Sequence, residues 1–212
     1  MKTVTAFKIN PRAPDKVVIE LDGARLASLP ADAVAQFDLS VGRFLTEDEY
    51  KKLSYIADVE AAYSRSLRML TVRPRAVNDL LRRLRAKGHN PSAAAEAVGR
   101  LEASGLLDDE KFAEQFARSR AHKGHGRSRL LADLLRQGVD GRVAAGAIDR
   151  VLDEEQLDQE GQVRDLVRKR LKQLDGLSVT VKRRRLIGFL SRRGFGGSEV
   201  WGVVDEFLKA GD

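Results

Sequence analysis

The most regular alternation of apolar and polar positions lies in the stretch 106–138. Its first part repeats at three to four residues, the period of a helix with one buried face. The predicted buried positions are Phe112, Phe116 and Ser119, and the outer face is expected to carry Lys111, Gln115, Arg118 and His122. Acids suit the positive end of a helix dipole, so the helix is expected to begin near Asp109, with Asp108 or Asp109 as its N-cap.

A second helix is expected after Gly124 and Gly126, which end the first one. Gly138 stands where helices often close with a left-handed residue. The predicted inward residues of this helix are Leu130, Leu131, Leu134 and Leu135, and the predicted outward residues are Arg127, Arg129 and Arg136. The stretch therefore predicts a helical hairpin with a basic rim.

The pattern recurs when the chain is aligned on Gly88, Gly138 and Gly194, which lie 50 and then 56 residues apart. Each copy has a leucine-rich basic helix, a glycine, a short turn and a second amphipathic helix. A longer helix is expected before each copy, at 54–71, 109–122 and 158–174. Repeats of this size indicate stacked units, so we predict three tandem three-helix modules, 54–105, 106–153 and 154–212, in an elongated right- or left-curved array.

Local signals refine the module ends. Pro74 is predicted in the first turn of a helix, and Asn90-Pro91 as a cap followed by a first helical residue. Ser178 and Ser198 are candidate caps in the third module. The acidic run 153–158 is open to two interpretations, a linker between modules or a continuation into the next helix.

The N-terminal part, 1–53, has a different pattern. The runs 4–9 and 16–21 are rich in Val, Ile, Thr and Phe and predict a β-hairpin, interrupted by the proline-containing segment 10–15. Short helical or irregular pieces are expected at 24–42, broken by Pro30 and Gly42. Thr46 and Glu49 form a capping-box pattern, which predicts a helix from about Glu47. The fold class is thus mainly α, preceded by a small unit that contains a β-hairpin.

Composition indicates a globular chain of 212 residues, 42% hydrophobic and 33% charged, with a net charge of +7. The basic excess lies in 63–152 and favours an acidic partner, such as nucleic acid or a protein bound to it. No cysteine is present, which excludes disulfides and thiolate metal sites. The chain has no signal-peptide pattern or membrane-spanning apolar run, so we expect a cytoplasmic protein that makes no membrane contact. We also expect it to be a monomer.

Catalytic and cofactor chemistry find little support. The three histidines, His89, His122 and His125, lack metal-site spacing relative to nearby acids. The 124–126 loop could suggest phosphate binding at a helix N-terminus, but the Walker pattern is absent and the loop follows a helix. Scattered serines fit caps and turns. We therefore expect no enzyme, no metal and no cofactor.

Basic residues around the predicted helix ends are the candidate contacts. A helix-turn-helix would place a second helix in a DNA groove, but those helices here are rich in alanine and poor in base-reading side chains. A solvated helix face is the alternative for any single arginine. The candidate partner- or DNA-binding residues are Arg73, Arg75, Arg82, Arg118, Arg120, Lys123, Arg127, Arg129 and Arg136.

The acidic helix start, the segment FAEQFARSR, the KGHG loop and the basic helix ending in LLRQGV together resemble the central repeat of the RecX family of bacterial recombinase regulators. The similarity extends from about residue 55 to the end. It implies three three-helix modules that bind the RecA recombinase filament and limit its ATPase and strand-exchange activities. The matching motif positions are Phe112, Phe116, Arg118, Arg120, Gly124, Gly126, Leu134 and Gly138, and the two arginines among them are candidate contacts.

Two other functions remain open at this point. The first is sequence-nonspecific binding of single- or double-stranded DNA through basic helix faces. The second is a purely structural helical adaptor. The basic surface alone does not separate a recombinase regulator from a DNA-binding protein.

Overall fold

A computed structural model describes residues 2–10, 13–156 and 158–209. The chain divides into two compact units, Met1–Asp108 and Asp109–Asp212. The first contains a small antiparallel sheet and three longer helices, and the second contains six helices. This mainly helical architecture with an N-terminal β unit confirms the predicted fold class.

Strand β1 (Lys2–Asn10) pairs with β2 (Ala13–Leu21), which confirms the hairpin. The sheet is larger than predicted, because β3 (Ala24–Pro30) and β4 (Phe44–Leu45) complete the order β3-β2-β1-β4. The prediction of helical or irregular structure across 24–30 was wrong. Pro30 is the last residue of β3, an end position where the missing N–H costs little. Strand β2 also begins earlier than predicted, at Ala13; residues 11 and 12 lie outside the described part.

Helix α1 (Ala31–Gln36) lies between β3 and β4 in the chain, and α2 (Glu47–Val72) begins at the predicted residue. The Thr46 hydroxyl accepts from the Glu49 N–H at 3.2 Å, and the Glu49 carboxylate accepts from the Thr46 N–H at 2.8 Å. Leu53 and Ala57 of α2 pack into the core of the sheet, whereas Val59 packs into a helical core further along. The predicted boundary at 53 therefore falls within one continuous helix.

Helices α3 (Val77–Ala86) and α4 (Pro91–Ala103) complete the first unit. The Asn90 side chain accepts from the Ser92 N–H at 2.8 Å, so Asn90 caps α4 as predicted. Pro74 does not lie in a first helical turn, because α3 begins three residues later with Ala76 as its N-cap. Leu80, Leu84, Ala93, Ala97 and Leu101 form the buried centre of this module.

The second unit contains two further sets of three helices. The second module consists of α5 (Asp109–Ala121), α6 (Arg127–Gln137) and α7 (Gly141–Glu154). The third consists of α8 (Gln159–Leu171), α9 (Val179–Arg192) and α10 (Ser198–Lys209). Asp158 caps α8, so the run 153–158 ends one helix and starts the next. Ser178 occupies the N-cap position of α9 without a side-chain cap bond, and Ser198 is already helical.

The buried face of α5 differs from the prediction. Ala113, Ala117 and Ala121 are buried, whereas Phe112 and Phe116 are half-buried and Ser119 is exposed. Helix α5 packs against α7, whose own buried face is rich in alanine, and small side chains on both helices permit close approach. The Phe112 and Phe116 rings lie next to each other, with 6.2 Å between their centroids. Leu135 was also predicted inward but is 48% exposed.

Two leucines before each repeat glycine form the common element of the three modules. Leu80, Leu130 and Leu186 lie eight residues before the glycine, Leu84, Leu134 and Leu190 lie four before it, and all six are 0% exposed. The glycines have φ values of 85°, 91° and 87°. The repeat seen in the sequence is therefore a repeat of core positions and helix ends.

Candidate interaction surface

The nine predicted contact residues differ in their availability to a partner. Six of them form ion pairs with carboxylates of their own unit. These are Arg75, Arg82, Arg118, Arg127, Arg129 and Arg136. The other three, Arg73, Arg120 and Lys123, have no carboxylate partner among the described residues. The predicted set thus combines six arginines that are paired within the protein and three cations without a carboxylate partner among the described residues.

In the first module, buried Asp79 holds three arginines. Its carboxylate accepts from Arg75 Nη1 at 2.9 Å, Arg82 Nη2 at 2.5 Å and Arg83 Nε at 2.8 Å. Burial tends to raise the pKa of Asp79, but the three guanidinium groups outweigh it and the pKa is lowered. Arg75 is itself 10% exposed and also donates to the Met69 carbonyl at 3.4 Å. Its guanidinium is therefore held within the first unit by these two contacts, and its predicted role as a partner contact stays a prediction.

In the second module, buried Asp133 has the corresponding role. It accepts from Arg129 Nε at 3.1 Å and from Arg136 Nη2. Burial again opposes ionisation, and the two arginines nevertheless lower the pKa of Asp133. Counted back from the repeat glycine, Asp79 and Arg83 occupy the places of Arg129 and Asp133, so the acid and base are exchanged between modules. The i,i+4 spacing of acid and base is the sequence signal that could have identified these arginines as paired.

Two other predicted arginines connect α7 to the rest of the second module. Arg118 Nε donates to Glu155 Oε1 at 2.6 Å, and His122 Nε2 lies 2.9 Å from Glu155 Oε2. Arg127 binds Asp149 through two bonds of 2.8 and 3.0 Å. The Arg118 and His122 side chains lower the pKa of Glu155, and Arg127 lowers the pKa of Asp149. These pairs join residues 22 to 37 positions apart, and no spacing in the sequence indicated them.

The available cations of the second module lie near the turn between α5 and α6. The Arg120 guanidinium lies over the Phe116 ring, 5.0 Å from its centroid. Lys123 is exposed. Burial lowers the pKa of His125, and the nearby charge of Arg120 adds to that effect. The positive charge near this turn therefore comes from Arg120 and Lys123. The lowered pKa of His125 favours the neutral form of its side chain.

A glycine joint, formed by Gly126 and Ser128 with Arg193 and Gly194, fixes this turn against the third module. The Gly126 N–H donates to the Arg193 carbonyl at 2.8 Å, and the Ser128 N–H donates to the Gly194 carbonyl at 3.3 Å. The N–H groups of the α6 N-cap, Gly126, and of Ser128 in its first turn are thus satisfied by the carbonyls of the two residues that follow α9. A Cβ on Gly126 would lie 2.5 Å from the Gly194 oxygen, so a side chain there is excluded by contact with backbone.

Other kinds of site find no support in the part of the chain that is described. Residues 2–10, 13–156 and 158–209 contain no group of three His, Asp or Glu side chains able to hold a metal ion. Within the same residues, no helix has both the length and the apolar character needed to span a membrane.

Three tandem three-helix modules are typical of a helical-repeat protein. Three RecX family domains match in order: the first three-helix domain at residues 62–101, the second at 108–148 and the third at 158–204. The chain belongs to the RecX family.

Relatives agree with this assignment. A regulatory protein RecX from Amycolatopsis mediterranei is 37% identical over 164 residues, which covers 77% of this chain and 87% of that protein. One from Halorhodospira halophila is 35% identical and covers 66% of this chain and 84% of the relative. A crystal structure of regulatory protein RecX has a TM-score of 0.74 at 19% identity and covers 97% of this chain and 100% of that one. RecX from Lactobacillus salivarius has a TM-score of 0.62 at 19% identity, covering 72% and 97%. These structures support the fold.

Proposed function

We propose that this protein binds the RecA recombinase filament and modulates, mostly by inhibition, its ATPase and DNA strand-exchange activities. The observation that carries the proposal is membership of the RecX family across all three helical modules, since the relatives are named regulatory proteins. The protein acts as a binding partner in the cytoplasm and is not an enzyme.

The turn between α5 and α6 is the proposed recombinase contact. Arg120 and Lys123 lie there without carboxylate partners among the described residues, so their donors remain available to an acidic surface. Arg118, Arg127 and Arg129 already bind Glu155, Asp149 and Asp133, and such pairs reduce the field that a partner meets. Complementary charge contributes most to association rate and orientation, and substitution of the available cations should weaken binding.

The test is recombinase ATPase turnover on single-stranded DNA, measured against increasing concentrations of this protein. The informative variant is Arg120→Gln with Lys123→Gln. Its matched control is Arg127→Gln with Arg150→Gln, which removes the same charge from the same module. Arg127 and Arg150 are already paired, with Asp149 and with Glu110 and Glu114.

We expect the Arg120/Lys123 variant to need about tenfold more protein for half-maximal inhibition, the effect of about 1.4 kcal/mol of binding energy. The control should change this concentration much less. Equal effects of the two variants would contradict the proposal that Arg120 and Lys123 form the recombinase contact. A wild-type protein that leaves turnover unchanged, at concentrations where it does not coat the DNA, would refute the function itself.

A further inference from the structure

The highest local charge lies outside residues 63–152, where the net basic excess of the chain is found. Segment 168–193 contains ten Lys or Arg residues and a single acid, Asp175. The near-neutral total of 153–212 conceals this excess, because the remaining acids of that block lie at 153–165 and 199–212. The third module is therefore strongly basic along α9 and the end of α8.

Two of these ten cations are paired within the third module. Arg168 pairs with Asp165 at 2.8 Å, and Arg183 pairs with Asp205 at 2.7 Å. The other eight have no carboxylate partner among the residues that the structure describes. They are Lys169, Arg170, Lys172, Lys182, Arg184, Arg185, Arg192 and Arg193. This contrasts with the second module, where four of the six predicted contacts are paired.

Five residues of α9 and its C-cap form a continuous stripe, which we call the α9 stripe. They are Lys182, Arg185, Phe189, Arg192 and Arg193. The first four recur at three to four residues and Arg193 lies four residues after Phe189, which places the set along one side of the helix. At 1.5 Å per residue the stripe is about 16 Å long, roughly the axial length of four to five nucleotides of one strand.

The Phe189 ring, at the centre of the stripe, packs against arginine side chains and does not present an open apolar face. Arg193 and Arg170 both lie over Phe189, with 5.0 and 5.5 Å from the guanidinium carbon to the ring centroid. A ring covered in this way is unavailable for stacking on a base. It instead packs against two guanidinium groups.

Arg193 also joins the stripe to the second module. Its Nη1 donates to the Lys123 carbonyl at 3.3 Å and to the Gly124 carbonyl at 3.4 Å. Arg193, at the end of the stripe, therefore contacts the backbone of Lys123, whose side chain is exposed. The glycine joint keeps these two parts of the surface in register.

We propose that the α9 stripe binds the sugar-phosphate backbone of a DNA strand without reading its sequence. Guanidinium and ammonium groups spaced along a helix match successive phosphates, and a guanidinium fork suits phosphate oxygens. The stripe has no Asn or Gln that could read base edges. It also lacks the exposed apolar anchor that centres most protein–protein interfaces. This inference goes beyond the proposed function and does not require it.

The experiment measures fluorescence polarisation of a fluorescein-labelled oligothymidylate with the full-length protein and no recombinase. The test variant combines Lys182→Gln, Arg185→Gln and Arg192→Gln. The control combines Arg164→Gln, Arg168→Gln and Arg183→Gln, which removes three charges from the same module. Those control arginines are paired with Glu160 and Glu206, Asp165 and Asp205. Circular dichroism and Trp201 fluorescence establish that each variant is folded.

Each lost phosphate contact should reduce the slope of log affinity against log salt by about 0.7 for a single strand, so the test variant should lose about 2. Its affinity should fall at least about tenfold at 0.1 M salt on the same basis. The control should keep nearly the wild-type slope. Equal losses would show that total charge, not the stripe, governs binding, and would overturn the proposal.

Two further outcomes would also overturn it. One is wild-type protein that leaves the oligonucleotide free at low salt. The other is stripe-dependent binding of polyglutamate without binding of the oligonucleotide, which would indicate an acidic protein partner. Because recombinase is absent, each of these results leaves the ATPase test of the proposed function independent.

Discussion

Replacement of Gly194 by alanine tests the glycine joint directly. The φ of 87° costs an L-residue about 1–2 kcal/mol. The added Cβ would lie 2.3 Å from the Arg129 amide nitrogen and 2.4 Å from its Cβ. Neither atom can rotate away, so the ends of α6 and α9 must separate. Loss of the two backbone hydrogen bonds of the joint adds about 0.5–1.5 kcal/mol each, for a total of about 2–5 kcal/mol.

Gly176→Ala is the matched control in the same unit. Gly176 has a φ of 77°, and a Cβ there would have no heavy atom within 4 Å. The control shares the backbone strain of Gly194→Ala and its effect on the unfolded chain. The difference between the two variants therefore isolates the contact with Arg129 and should amount to about 1–3 kcal/mol, the two lost hydrogen bonds.

Denaturant unfolding followed by Trp201 fluorescence is the appropriate assay. Trp201 is the only tryptophan of the chain and lies in α10, so it reports the second unit. Coincident transitions by circular dichroism would justify a two-state treatment. If the two variants differ by less than about 0.5 kcal/mol, within ordinary surface effects, the joint contributes no stability and the reasoning fails.

Two other predictions concern buried side chains. Leu134→Ala should cost about 2–5 kcal/mol of unfolding free energy because Leu134 is 0% exposed, whereas Phe116→Ala should cost less than half as much because its ring is half-buried. Equal losses in denaturant unfolding would contradict that ranking. Burial tends to raise the pKa of Glu60, but Arg100 and Lys16 outweigh it and lower the pKa. The contribution of ionised Glu60 to the free energy of unfolding should be fully present above its unfolded pKa of about 4.3. This contribution should be lost as pH falls through the lower pKa of the folded state. The tyrosine fluorescence of the first unit should report that loss, and Glu60→Gln should abolish this part of the pH dependence.

The core of the helical modules was predictable from the sequence. Leucines at fixed distances from Gly88, Gly138 and Gly194 are among the positions that the structure buries completely. The identity of the buried face of α5 was not predictable in this way. Large rings were expected inside, but Ala113 and Ala117 occupy the face because α7 approaches closely through small residues of its own.

The contact residues were harder to predict, because availability depends on pairing across long separations. In the sequence, Arg127 and Lys123 are both basic residues near the same turn and cannot be told apart as contacts. In the structure, however, Asp149 binds Arg127 from 22 residues away. Charge totals by block were equally incomplete. They assigned the third module almost no excess, although its acids lie away from α9. Only the helix packing decides which cations have a neighbouring acid.

Helix α2 sets the angular position of the N-terminal sheet around the first helical module. Lys16 of β2 and Arg100 of α4 both bind Glu60, at 2.6 and 2.5 Å, so these contacts depend on the phase of one helix. One residue inserted between Ala57 and Val59 would turn the sheet by about 100° about the helix axis and move it about 1.5 Å. Four inserted residues would restore the angle to within about 40° at a displacement of about 6 Å. Insertions into this helix are therefore expected to be tolerated when they add about a whole helical turn, and not when they add a single residue.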